Sequence, residues 1–333
     1  MRTNPVLVLV ALAIGRAANL WAAGDATNAA GSASPPTHQV SGSAQSLDEV
    51  IVLGKTDLPT LKHEIHQFVQ SHADPSGLIG QIGRWREPVC PLVLGLQDPY
   101  NSFIAHRITD VAQEVGVRIS PPNKHCDANV EVVFTAEPQK LVDHIATAWR
   151  PLLGYYRKAD LKDLTTFNHP VQAWYMTGTR AVTYPPMEVA QYGPDIAQML
   201  FAQSLHVDSA LSAESGDWGP AGNAESRLDH NLRSEFIHAL IIVDNGSIAK
   251  NSLHSVADYV ALLALTRLST LDQCSELPSI VNLFAPNCTS PPSTITSADI
   301  AYLKALYGAD LELKLALEQG DIRERMLKTI SSK

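Results

Sequence analysis

The stretch CPLVLGLQDPYNSFIAHRITDVAQEV, residues 90–115, and its counterpart NVEVVFTAEPQKLVDHIATAW, residues 129–149, decide the fold. Each opens on a β-rich apolar run, Pro91 to Leu96 in one and Asn129 to Thr135 in the other. Each then places an acid before a proline, Asp98-Pro99 and Glu137-Pro138. Apolar residues at helical spacing follow: Ile104, Ile108, Val111 and Val115, then Leu141, Ile145 and Ala146. Acid and proline suit the first turn of a helix. The acid faces unpaired N–H groups, and proline has no N–H to leave unpaired. The same layout begins earlier, with Glu49 to Leu53 preceding Thr56-Asp57-Leu58-Pro59 and an amphipathic run to His72. Strands alternating with helices imply parallel pairing through crossovers, so residues 47–183 are expected to form an α/β region with a partly parallel sheet.

The cysteines fit that sheet. Four occur, Cys90, Cys126, Cys274 and Cys288, none in a C-x-x-C pair, so an all-thiolate zinc site is disfavoured. Four cysteines allow three pairings. Cys90 and Cys126 each precede a strand, and neighbouring parallel strands would bring both to one sheet edge. That leaves Cys274 with Cys288, closing a short loop worth about 3 kcal/mol in the chain-entropy model.

A nucleotide site is expected to be absent. Phosphate needs a Gly-rich strand–helix turn with free N–H groups. Here Asp57, Asp98 and Glu137 stand at the helix starts and would repel it, and neither G-x-G-x-x-G nor a Walker sequence occurs.

Gln172 to Arg180 reads as a strand whose alternation puts Gln172, Trp174, Met176 and Arg180 on one face. Trp174 and Arg180 could form a ligand wall, the alternative being ordinary half-buried packing. Residues 184–231, rich in Gly, Pro, Ser and Ala, read as a long loop or a seam between domains. Residues 232–333 then read as a helix-rich α+β region. Glu235 to Val243 is a strand ending at the turn signal Asp244-Asn245-Gly246. Ser252 to Leu268 is a helix apolar around most of its circumference, hence central and buried. Pro278 to Phe284 forms a short helix, Thr296 and Asp299 open another with a capping box, and the last helix runs from Leu311 to Ile330.

On the central helix His254 and Asp258 lie four apart, on one face. Residues 234–307 resemble the C-terminal part of a family of secreted bacterial proteins of unknown function with a zincin-like, metallopeptidase-related layout. The resemblance rests on the strand ending in Val243-Asp244, the helix His254-Ser-Val-Ala-Asp258-Tyr259, the segment Leu277-Pro278-Ser279-Ile280, and Thr296-x-x-Asp299-x-x-Tyr302-Leu303-x-x-Leu306-Tyr307. It covers about a quarter of the chain. It implies a zincin-like C-terminal region in which His254 and Asp258 would be the metal ligands and zinc the metal. The pattern departs from H-E-x-x-H: Ser255 stands where the catalytic Glu would be, and Asp258 where the second His would be. A structural ion pair is the other reading of His254 and Asp258. Zinc is therefore not expected, and no catalytic or cofactor-binding residue is nominated. His63 and His66 read as a solvated helix face, and no G-x-S-x-G elbow occurs.

The address comes from the amino terminus. Arg2, the apolar run Val6 to Ile14 and the small residues Ala22-Ala23-Gly24 read as a signal peptide over residues 1–24, cleaved before Asp25. Residues 25–46, mostly Ala, Gly, Ser, Thr and Pro, read as a disordered linker. No apolar run is long enough to cross a bilayer. A net charge of −9 over 333 residues argues against a nucleic-acid partner. The expectation is a periplasmic or secreted protein with a binding or structural role toward an envelope component or a protein. The alternative is a divergent metal-dependent hydrolase using His254, Asp258 and a third ligand such as Asp244 or His238.

Overall fold

The computed structural model describes residues 57–76, 80–121, 126–154, 161–181, 232–310 and 315–331. The expected signal peptide, linker, first strand (49–53) and loop or seam (184–231) lie outside them.

Both strand–helix units are present. Strand β2 (Pro91–Leu94) leads to α2 (Asp98–Glu114), and β3 (Val130–Thr135) to α3 (Pro138–Ala148). The earlier copy of the layout contributes α1 (Leu58–His72), and a two-residue strand β1 (Arg84–Trp85) follows it. Each of the three helices has proline in its first turn, as expected. The N-cap acids of α1 and α3, Asp57 and Glu137, make no side-chain capping bond to the backbone. Asp57 instead accepts the Thr60 hydroxyl at 2.7 Å, and Glu137 pairs with Lys140. Toward the helix N–H groups themselves they act through charge.

β2 and β3 pair in parallel with Pro91 opposite Val130. This register joins Cys90 to Cys126, their Cα atoms 6.2 Å apart, and Cys274 is joined to Cys288. Gly95 carries the chain off β2 at φ +99°, where a Cβ would lie 2.0 Å from the Phe134 carbonyl oxygen, so only glycine fits.

The sheet does not end with the N-terminal region. After a 3₁₀ turn (Arg150–Leu153) and a short α4 (Leu161–Leu164) come β4 (Val171–Ala181) and β5 (Leu232–Asp244). β5 opens the segment expected to be helix-rich, yet it is the central strand. It pairs in parallel with β1 and β3 along one side and antiparallel with β4 along the other. The result is a five-stranded sheet, largely parallel, with one antiparallel edge. A register shift between Met176 and Thr177 leaves Ile237 unmatched on β5. That extra residue lets Phe236 face the main core although it shares odd–even parity with His238 on the other face.

Beyond β5 come α5 (Asn245–Ile248), α6 (Leu253–Leu265), a 3₁₀ turn (Ile280–Leu283), α7 (Ser297–Gly308) and α8 (Leu315–Ser331). The main core packs one sheet face against α1, α2, α6, α7 and α8. Helix α6 is its centre, with every residue from Ser255 to Leu265 buried. The second face carries a smaller cluster in which Val133, Trp174, Leu240 and Ile242 meet Leu141, Val142 and Ile145 of α3 and Leu152 and Leu153 of the 3₁₀ turn.

A buried helix must find partners for its last four carbonyls. In α6 the Leu262 carbonyl accepts the Thr266 N–H. The Tyr175 hydroxyl donates to Leu263 at 2.7 Å, the Trp85 indole N–H to Ala264 at 2.7 Å, and the Tyr307 hydroxyl to Leu265 at 2.7 Å. Three aromatic donors, from β4, β1 and α7, finish the helix.

α8 is held by a buried charge pair. Arg84 Nη2 lies 2.5 Å from Glu318 Oε1, both side chains sealed from solvent. The other Glu318 oxygen accepts the Ile82 N–H at 3.0 Å. Burial pushes the Glu318 carboxyl from 4.5 up to about 7, against the opposing pull of Arg84.

Candidate functional site

Strand β5 ends at Asp244, whose carboxylate caps α5 by accepting the Gly246 N–H at 3.0 Å and the Ser247 hydroxyl at 2.5 Å. The chain then enters α6 at Ser252, whose hydroxyl oxygen accepts the Ser255 N–H. His254 and Asp258 fall one turn apart, as their spacing predicts. His254 Nδ1 lies 3.6 Å from Asp258 Oδ2, and its side chain is 52% exposed, whereas Asp258 is fully buried.

The Asp258 carboxylate is already used. Its Oδ1 accepts Arg107 Nε–H from α2, and its Oδ2 accepts the Ile295 N–H at 2.7 Å from the segment leading into α7. One carboxylate thus ties three separate parts of the chain together. Arg107 stands 151 residues away and cannot be inferred from helix spacing. Phe103, one of the few large exposed apolar residues among the described ones, lies against His254 with ring centroids 6.1 Å apart.

The other two proposed ligands are elsewhere. Asp244 is engaged at α5. His238 projects from β5 on the second sheet face, so the sheet separates it from α6. Among the described residues, no group of three or more His, Cys, Asp or Glu side chains could hold a metal ion. Asp258 accepts from a guanidinium and a backbone N–H, and among the described residues no third ligand joins it and His254.

Trp174 of the proposed ligand wall is buried in the second cluster and donates its indole N–H to the Leu164 carbonyl at 2.8 Å. Arg180 lies in β4 opposite Arg233, and its side chain is outside what is described. On α1, His66 contacts Arg323 of α8.

The helices following β2 and β3 leave on opposite faces, α2 into the main core and α3 onto the second cluster. That reversal is where open α/β sheets take ligands. Here it presents Asp98 and Glu137, both exposed, in place of a Gly-rich turn.

One constellation has the residue types of a nucleophilic site. The Ser279 hydroxyl donates to Asp299 Oδ1 at 2.6 Å, and His72 Nε2 lies 3.3 Å from Ser279 Oγ. Asp299 Oδ2 also accepts the Ile280 N–H and both the N–H and hydroxyl of Thr296, completing the expected capping box. All of these groups are sealed. Burial raises the Asp299 carboxyl above its ordinary value and lowers the His72 imidazole from 6.5 to about 3. The serine proton points at the aspartate and not at the histidine, so this is a structural knot joining α1 to α7.

The feature that sequence reading missed is Glu131. It is 2% exposed on β3, between two buried valines, with its Oε1 3.8 Å from His238 Nε2. The available signal was a lone acid inside a strand otherwise built for burial.

No family model, no curated protein and no solved structure matches the chain.

Proposed function

We propose that this protein works outside the cytosol as a non-catalytic binding protein, released by cleavage near Asp25 and locked by its two disulfides. The observation that carries the non-catalytic reading is the Asp258 carboxylate, whose two oxygens each accept a structural hydrogen bond, from Arg107 and from the Ile295 N–H, with no third metal-binding side chain grouped with it and His254 among the described residues. The carboxylate serves as the joint between α2, α6 and the segment leading into α7, a structural use that accounts for its burial. The two disulfides support an oxidising compartment, and no helix among the described residues is long and apolar enough to cross a membrane. The proposed kinship with zincin-like secreted proteins is one of fold, with α6 in the place of the metal-bearing helix.

The test is metal analysis of the purified mature chain together with a broad peptidase assay. The expected result is substoichiometric zinc and no cleavage. Stoichiometric zinc that disappears in His254→Ala would overturn the reading. Amino-terminal sequencing of the exported form is expected to start at Asp25.

A further inference from the structure

The second face of the sheet holds two buried ionisable groups with unmet bonding capacity. Glu131 is 2% and His238 is 5% exposed, and Glu131 Oε2 and His238 Nδ1 both lack a hydrogen-bond partner. The remaining atoms face each other, His238 Nε2 3.8 Å from Glu131 Oε1, and a neutral imidazole oriented to that carboxylate carries its proton on Nε2. Nδ1 is then a lone pair, so both unmet groups are acceptors. Their strand neighbours in register are apolar: Leu92 and Leu240 flank Glu131, and Met176 lies opposite His238. α3 and the 3₁₀ turn pack on the same face over Val133, Leu240 and Ile242.

A carboxylate buried among aliphatic side chains, with one oxygen unpartnered and the other 3.8 Å from a histidine nitrogen, is costly, and valine would serve the strand better. We infer that Glu131 and His238 form the polar end of a site for a small organic cation, a protonated primary amine with an apolar body. An ammonium carries three diverging donors and can serve acceptors on two separate strands at once. Its charge answers Glu131, and its alkyl chain matches the Leu92, Met176 and Leu240 surroundings. An anion is refused by the carboxylate, and a divalent metal lacks a third protein ligand among the described residues. This site stands independently of the reading of Asp258, and its test does not share an outcome with the zinc measurement.

The experiment is calorimetric titration and thermal melting of the oxidised mature chain with n-hexylammonium, n-hexanol, hexanoate and zinc chloride. Hexylammonium is expected to bind saturably and raise the melting temperature, and hexanol and hexanoate are not. Glu131→Gln, nearly isosteric, is expected to weaken the amine by at least about tenfold, an affinity change readable directly from the titration. His238→Gln serves as a second variant if the first does not fold. Failure of hexylammonium to bind the wild-type chain overturns the inference whatever the variants do. So does equal amine binding by a folded Glu131→Gln, or zinc binding that depends on Glu131 while the amine is ignored.

Discussion

Replacing Glu318 tests how the C-terminal helix is held. Glu318→Ala leaves the Arg84 guanidinium sealed in the core without its counter-charge and strips the Ile82 N–H of its acceptor. Breaking a buried pair from one side costs about 3–5 kcal/mol, whereas replacing both charges with apolar residues is neutral or stabilising by about 1–4 kcal/mol. Glu318→Ala should therefore lose about 3–5 kcal/mol near pH 8, and the double variant Arg84→Met/Glu318→Leu should recover the part owed to the stranded guanidinium, leaving the cost of the unmet Ile82 N–H. The pH dependence carries a sign. Burial raises the Glu318 carboxyl from 4.5 to about 7, so the folded chain holds a proton that the unfolded chain has released. Its contribution is complete below 4.5 and is lost as pH rises through about 7. His72, lowered from 6.5 to about 3, works the other way, its contribution fading as pH falls below 6.5. Glu318→Gln removes only the first effect. The difference in unfolding free energy between wild type and Glu318→Gln should thus shrink steadily from about pH 4.5 to about pH 7. Urea unfolding of the oxidised protein across that range, followed by tryptophan fluorescence, measures it. A loss under about 1 kcal/mol in Glu318→Ala near pH 8, or a difference that stays flat with pH, refutes the reasoning.

Asp258→Ala should destabilise by about 3 kcal/mol because it strands Arg107 and the Ile295 N–H, while His254→Ala, at a half-exposed position, should change stability by less than about 0.5 kcal/mol in the same assay. Tyr307→Phe should lose about 1–3 kcal/mol by leaving the Leu265 carbonyl without a donor, read from chemical denaturation. Non-reducing mass analysis of the native chain should find no free thiol, and Cys274→Ser/Cys288→Ser should lower stability by about 3 kcal/mol without disturbing the Cys90–Cys126 bridge.

Much of the local structure was legible because its causes are local. The β2–α2 and β3–α3 units follow from apolar spacing and the position of proline. The capping box at Thr296 and Asp299 follows from two residues three apart. The Cys90–Cys126 pairing followed because parallel neighbours start at the same edge. What was not legible depends on distant partners. The run Glu235 to Val243 announces a buried strand, but nothing in it announces that β1, β3 and β4 will all pair with it. Arg84-Trp85 is too short to show any period. His254 and Asp258 looked like a pair because they are four apart, and only the fold shows that Arg107 and Ile295 hold the aspartate. Glu131 was visible as a letter and unreadable as a site, since its meaning comes from His238 on the neighbouring strand.

The finished end of α6 makes completion of the interior depend on three distant segments at once. Its carbonyls wait on donors at positions 85, 175 and 307, contributed by an early strand, the antiparallel edge and a late helix. None of the three can substitute for another, so an assembly lacking any one leaves a bare polar stump in the middle of the apolar interior. A chain cut short before Tyr307, or one whose edge strand has not yet docked, should stay loose and open to proteases.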